Sequence, residues 1–243
     1  MSTLSVGYSA ISSFSRVEIL HLIQVEPRQT VAALAAATAL HPNTVREHLE
    51  RLLDAGHIVR ETERRTTRGR PRVMYSAATG GAEASSPVAR RKARAAAERG
   101  DLMRRVMPWT GASESDLDTA ATHQVDAIVD HLIESGFDPL VDETGLTIDL
   151  SPCPHAEAQS AHRDILCSVH LGIMQGVLAE ARGPLAVTGM QPSCDPTQCV
   201  VQLALTRASD EDAVRPRIDV HRRSAQESDE RQAGCVGQFD RQR

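Results

Sequence analysis

Aromatic side chains are nearly missing from this chain: three Phe, two Tyr and one Trp in 243 residues. Its core must therefore be built from Leu, Val, Ile and Ala, within an apolar share of 41%. Lysine is scarcer still, Lys92 standing alone, so positive charge is carried by arginine. No stretch approaches the ~20 uninterrupted apolar residues that span a bilayer. The opening "MSTLSVGYSAISSFSRVEIL" lacks the basic run and continuous apolar segment of a secretory leader. These absences point to a cytoplasmic protein with no membrane partner. Disulfides are not expected there, so the five cysteines suggest metal binding, redox sensing or plain burial. With a net charge of -5 the chain as a whole is no general polyanion binder, and positive charge matters only where it is concentrated.

It is concentrated in one place. Arg60, Arg64, Arg65, Arg68, Arg70 and Arg72 put six guanidiniums within thirteen residues. Upstream, "SRVEILHLIQV" spaces Val17, Ile19, Leu20 and Ile23 as one helical face, and Thr30 precedes the alanine-rich "VAALAAATAL". The third helix, "LHPNTVREHLERLLDAG", has Pro42 in its first turn and Gly56 at its end. Val45, Leu49, Leu52 and Leu53 form its buried stripe, which leaves Asn43, Thr44, Arg46, Glu47, Glu50 and Arg51 facing away. "HIVRETE" and "PRVMYSAA" read as two strands about a turn containing Gly69 and Pro71.

Three helices followed by a two-stranded ribbon predict a winged helix-turn-helix. The third helix would enter the DNA major groove, and the basic ribbon tip would meet phosphates and release counterions. Asn43, Thr44, Arg46 and Glu47 lie early enough on the helix to reach base edges, with Arg46 suited to bidentate pairing with guanine. Arg51 is placed for a phosphate, and Arg65, Arg68, Arg70 and Arg72 arm the wing. The stretch "HPNTVREHLERLLDAGHIVRETERRTTRGRPRVMYSAA" resembles the winged-helix domain of bacterial ArsR-type and related repressors. That resemblance implies a sequence-specific transcriptional regulator, probing a near-palindromic double-stranded operator as a homodimer.

The organisation expected overall is α+β. Residues 1–78 form the N-terminal winged helix-turn-helix. Residues 79–137 comprise the "TGGAEASSP" linker, a basic helix and a dimerisation candidate over 113–137, which carries Leu117, Ala121, Val125, Ile128 and Leu132. Residues 138–206 form a small mixed α/β sensor module of strand, helix, strand and strand, and 207–243 a polar tail expected to be disordered.

Four cysteines fall in the sensor module with the spacing C-x13-C-x26-C-x4-C: Cys153, Cys167, Cys194 and Cys199. A helix start and strand ends can converge at one edge of a sheet and bring soft thiolates to a metal, although cysteine is also a common buried small hydrophobe. His155 and His170 are nearby substitutes. The segment "SPCPHAEAQSAHRDILCSVHLGIMQGVL", with a later Cys before "VVQL", is similar to the sensor domain of SufR-like repressors. The resemblance implies an iron–sulfur cluster on Cys153, Cys167 and Cys199, with Cys194 as the fourth ligand, that couples redox or iron–sulfur status to operator binding. Structural zinc is the alternative, accompanied by sensing of a small organic ligand. A metal-dependent enzyme fused to a DNA-binding head is a further rival. Asp149, Glu157, Asp164 and Asp195 lie near the cysteines, yet no Ser–His–Asp or His-Glu-x-x-His arrangement occurs among them, so no enzymatic activity is expected.

Overall fold

The computed structural model describes residues 13–63, 71–107, 117–153, 160–192 and 199–206. Its N-terminal unit contains α1 (Phe14–Val25), α2 (Val31–Thr38), α3 (Pro42–Ala55), β1 (Ile58–Thr62) and β2 (Val73–Ala77). Local chemistry fixes these boundaries. Thr30 accepts a hydrogen bond from the Ala33 N–H and so caps α2. Pro42 opens α3, and Gly56 closes it with φ 86°, a left-handed position that a side chain would strain. A Cβ on Gly56 would also lie 2.8 Å from the Ala89 backbone nitrogen. The antiparallel ribbon runs from Ile58 opposite Ala77 to Thr62 opposite Val73. Gln29 adds a short bridge to Tyr75 beside it.

Two long helices follow: α4 (Pro87–Val106) and α5 (Thr119–Glu134). The basic helix packs on its acidic neighbour, and much of its charge is answered there. Lys92 pairs with Glu134 at 2.8 Å, Arg99 with Asp130 at 2.6 Å and Arg104 with Asp126 at 2.7 Å. The apolar stripe expected over 113–137 is buried within this chain, Ala121, Val125, Ile128 and Leu132 all lying in the C-terminal core.

The C-terminal sheet has the order β3-β4-β6-β5, antiparallel throughout. Its strands are β3 (Leu140–Asp142), β4 (Thr147–Asp149), β5 (Leu185–Pro192) and β6 (Cys199–Leu205), with α6 (Ser160–Ala181) between β4 and β5. The sequence pattern missed β3. Three residues are too few to show alternation, and the signal lies in the turn beyond. There the Asp142 carboxylate accepts hydrogen bonds from the Thr144 N–H, the Thr144 hydroxyl and the Gly145 N–H.

Helix α6 belongs to two cores. Val169 and Ile173 are buried with Ile19, Leu20, Ile23 and Leu49 of the N-terminal unit. Met174 and Leu178 are buried with the sheet and α5. Gly176 lets it approach closely, since a Cβ there would stand 2.3 Å from the Ala78 carbonyl oxygen. Composition marks 79–87 as a linker, but its end is fastened to α6. The buried Glu180 carboxylate accepts hydrogen bonds from the Ser85 hydroxyl at 2.9 Å and 3.0 Å and from the Ser86 N–H. Gln124 is another buried polar group with its bonds satisfied. It donates to the carbonyls of Leu178 and Leu185 and accepts from the Leu185 N–H, fixing the turn from α6 into β5.

Candidate nucleic-acid interface and thiol cluster

Helix α3 docks through Val45, Leu49 and Leu52, all fully buried, and the same helical repeat turns its other face outward. Asn43, Arg46, Glu47 and Arg51 are exposed there, with Thr44 half-buried beside them. The His41 ring nitrogen Nδ1 accepts from the Asn43 N–H at 3.2 Å, so the first turn is organised before any ligand arrives. Arg46 donates to the Asn43 side-chain oxygen at 2.7 Å, which holds its guanidinium towards the N-terminal end of the exposed face. Behind Arg51 lie two groups that sequence reasoning passed over, Arg16 and His48. Burial lowers the pKa of both, and positive neighbours lower it further: Arg51 for Arg16, and Arg16 and Arg51 for His48. This corner is electropositive without help from the wing, and no sequence periodicity could have revealed it, because α1 and α3 meet only in the fold.

On the ribbon, Arg60 and Arg72 are exposed. Arg60 lies 3.9 Å from Glu50 of α3, while the Arg72 carbonyl accepts from the Glu63 N–H at 2.8 Å and carries the ladder towards the tip. Arg65, Arg68 and Arg70 lie outside the described residues. Residues 15–59 match the family model for winged helix-turn-helix DNA-binding domains. This stretch is a winged helix-turn-helix. It gives the regulator a DNA-binding domain. No curated protein and no solved structure matches the chain. Among the described residues no helix is long and apolar enough to cross a membrane.

Three of the cysteines expected to act together fall within the described residues. Cys153 follows β4 and packs against the C-terminal core, Cys167 lies in the N-terminal half of α6, and Cys199 opens β6. The Cys199 N–H donates to the Ser151 hydroxyl at 3.4 Å, and its carbonyl accepts from the Leu150 N–H at 2.8 Å, so β6 ties Cys199 to the chain just before Cys153. Burial pushes Cys167 up to about 11, with Cys153 and Asp164 adding to the rise. Cys199 is pushed up to about 12 by burial, then by Cys167, Cys153 and Asp149. A metal cation that displaced these protons would offset the negative charge of the thiolates so formed. The donor set is chemically suited to a soft metal, but among the described residues no three His, Cys, Asp or Glu side chains already form a metal cage. Cys194 and His155 lie outside the described residues.

His170 faces a different neighbourhood. Its ring stacks on Phe137 with centroids 4.7 Å apart and lies 5.9 Å from His131, which in turn meets His57 edge-on at 5.8 Å. The three imidazoles come from α6, α5 and the turn between α3 and β1, and nothing in their sequence spacing foretold the meeting. His57 and His131 keep some residue surface, but the His131 Nε2 is fully shielded, and the ring's surroundings set its protonation. Burial drives His131 down to about 3, with His57 and Lys92 adding to the drop. His57 falls to about 4 through burial, Lys92 and His170. Both rings are therefore neutral at pH 7.

Proposed function

We propose that the protein is a repressor that binds a near-palindromic operator as a homodimer and carries an iron–sulfur cluster on Cys153, Cys167 and Cys199, with Cys194 as the fourth ligand. The observation that carries this reading is the double burial of α6. A helix bearing one of the clustered thiols also packs, through Val169 and Ile173, into the core that supports the recognition helix. Such a cluster, when bound, would supply a bond between α6 and the sheet that responds to iron and to oxidants. The chain's own residues do the rest. Ile173 presses on the α1 side while Met174 and Leu178 hold the sheet side, so a small shift of α6 must be accommodated in both cores. Gln24 reinforces the contact by donating to the Val169 carbonyl at 3.2 Å. The reading is of a regulator and not an enzyme.

A second reading, structural zinc with sensing of an organic ligand, is favoured by the same soft donors. Anaerobic reconstitution with iron and sulfide separates the two. The expected product is coloured, loses its visible absorbance in air and changes its operator affinity as it does so. A colourless protein that takes up zinc and binds DNA alike with and without oxidant would overturn the cluster.

A further inference from the structure

Reading an operator with two half-sites requires two recognition helices, yet the expected dimerisation stripe of α5 is consumed inside the chain. We propose that two copies associate through the outer face of the C-terminal half of α4, crossing antiparallel about a two-fold axis between Asp101 and Leu102. The proposal rests on the homodimer reading above and gives it a surface.

Helix α4 divides cleanly into faces. Ala93 and Ala96 are buried against Ala127 and the half-buried Val177 and Ala181. The two sides of this buried stripe carry Lys92 and Arg99 on one flank and Arg104 on the other, all paired with acids of α5. The outer face keeps a cluster that nothing in the chain's described residues covers: Leu102, Met103 and Val106 expose 50%, 51% and 56% of their surface. Three aliphatic side chains left in water on consecutive turns are an anchor for association.

Charge selects the occupant. Glu98 and Arg105 are exposed and make no ion pair or side-chain hydrogen bond among the described residues. They stand seven residues apart, two helical turns or about 10 Å, so both share the side of the helix that carries Leu102. Opposite charges placed symmetrically about an apolar centre complement a second copy of themselves. Turned over by a two-fold axis, Glu98 of one copy faces Arg105 of the other, twice, and the two Leu102 side chains meet at the axis between them, with Val106 flanking the ion pairs. A partner of one charge sign would satisfy only half of this surface.

The dimension also suits the task. Ala89 of α4 touches the end of α3 at Gly56. From Ala89 to the proposed axis is about 19 Å of helix, which puts the two Ala89 positions, each beside the C-terminal end of an α3, about 38 Å apart along the helix pair. One turn of B-DNA separates successive half-sites by about 34–36 Å.

The test is the mass of the full chain in solution at micromolar concentration, with circular dichroism as the folding control. Wild type is expected as a dimer. Leu102→Asp, Glu98→Arg and Arg105→Glu should each weaken association at least tenfold, and the double reversal Glu98→Arg with Arg105→Glu should restore it. A monomeric wild type, a dimer indifferent to all three variants, or a double reversal no better than the singles would each overturn the proposal. Retention of a half-site duplex by the same samples is read separately. A monomer that still binds DNA sinks the interface but not the DNA-binding reading, whereas a dimer that retains no duplex sinks that reading and leaves the interface standing.

Discussion

Helices α3 and α6 are both long, and each places buried residues on more than one turn, yet they solve different problems. In α3 one side meets a core and the other meets water, so hydrophobic and polar residues separate onto two faces. In α6 Val169 and Ile173 enter one core while Met174 and Leu178 enter another, so apolar residues spread around the axis. A helix with one wet face can be assigned a partner surface from its own sequence. A helix buried on two sides reports only that it is buried. The contrast also separates their settings: α3 has a face open to solvent, whereas α6 joins one core to the other.

The largest effects should come from breaking α6 where the cores meet. Ile173→Ala and Met174→Ala remove buried volume from opposite sides and should each destabilise by about 2–5 kcal/mol. If α6 welds the two units, either variant lowers the midpoint of a single cooperative urea transition. Two separable transitions would show that the units fold independently and that the contrast with α3 is only one of composition.

Acid should act at the second junction, where His57 and His131 meet. Their folded pKa values lie below the ordinary histidine value, so protons bind more readily to the unfolded chain. The stabilising contribution is complete above about pH 6.5 and declines as pH falls towards the folded values of about 4 and about 3. At pH 5 the loss should be roughly 1–2 kcal/mol for each ring, and His131→Gln should flatten the dependence. A midpoint that stays constant from pH 7.5 to 5 would mean that the rings protonate without opening the junction.

Smaller effects belong to the free face of α3. Arg46→Ala should weaken specific binding by about 1–3 kcal/mol and blur one base preference while leaving stability unchanged. Arg72→Ala, at the ribbon's edge, should cost less than about 1 kcal/mol, weaken all sequences alike and reduce the salt slope by about one. Titrations of matched and scrambled duplexes at two salt concentrations would distinguish these effects. Equal loss of specificity from both variants would remove the distinction between reading bases and holding phosphates.

The chain's letters alone determined the N-terminal fold, because its instructions are local. Thr30, Pro42 and Gly56 mark helix ends, Val45, Leu49 and Leu52 mark the docking stripe, and the exposed face of α3 follows from the same repeat. Of the sulfur residues, Cys153 follows β4, Cys167 lies within α6 and Cys199 opens β6. Four features lay beyond sequence: the sharing of α6 by two cores, the anchoring of Ser85 and Ser86 by Glu180, the imidazole cluster of His57, His131 and His170, and the outer face of α4. Each depends on contacts between residues tens of positions apart. Helical periodicity says that a side chain is buried, but only the packed structure decides against what.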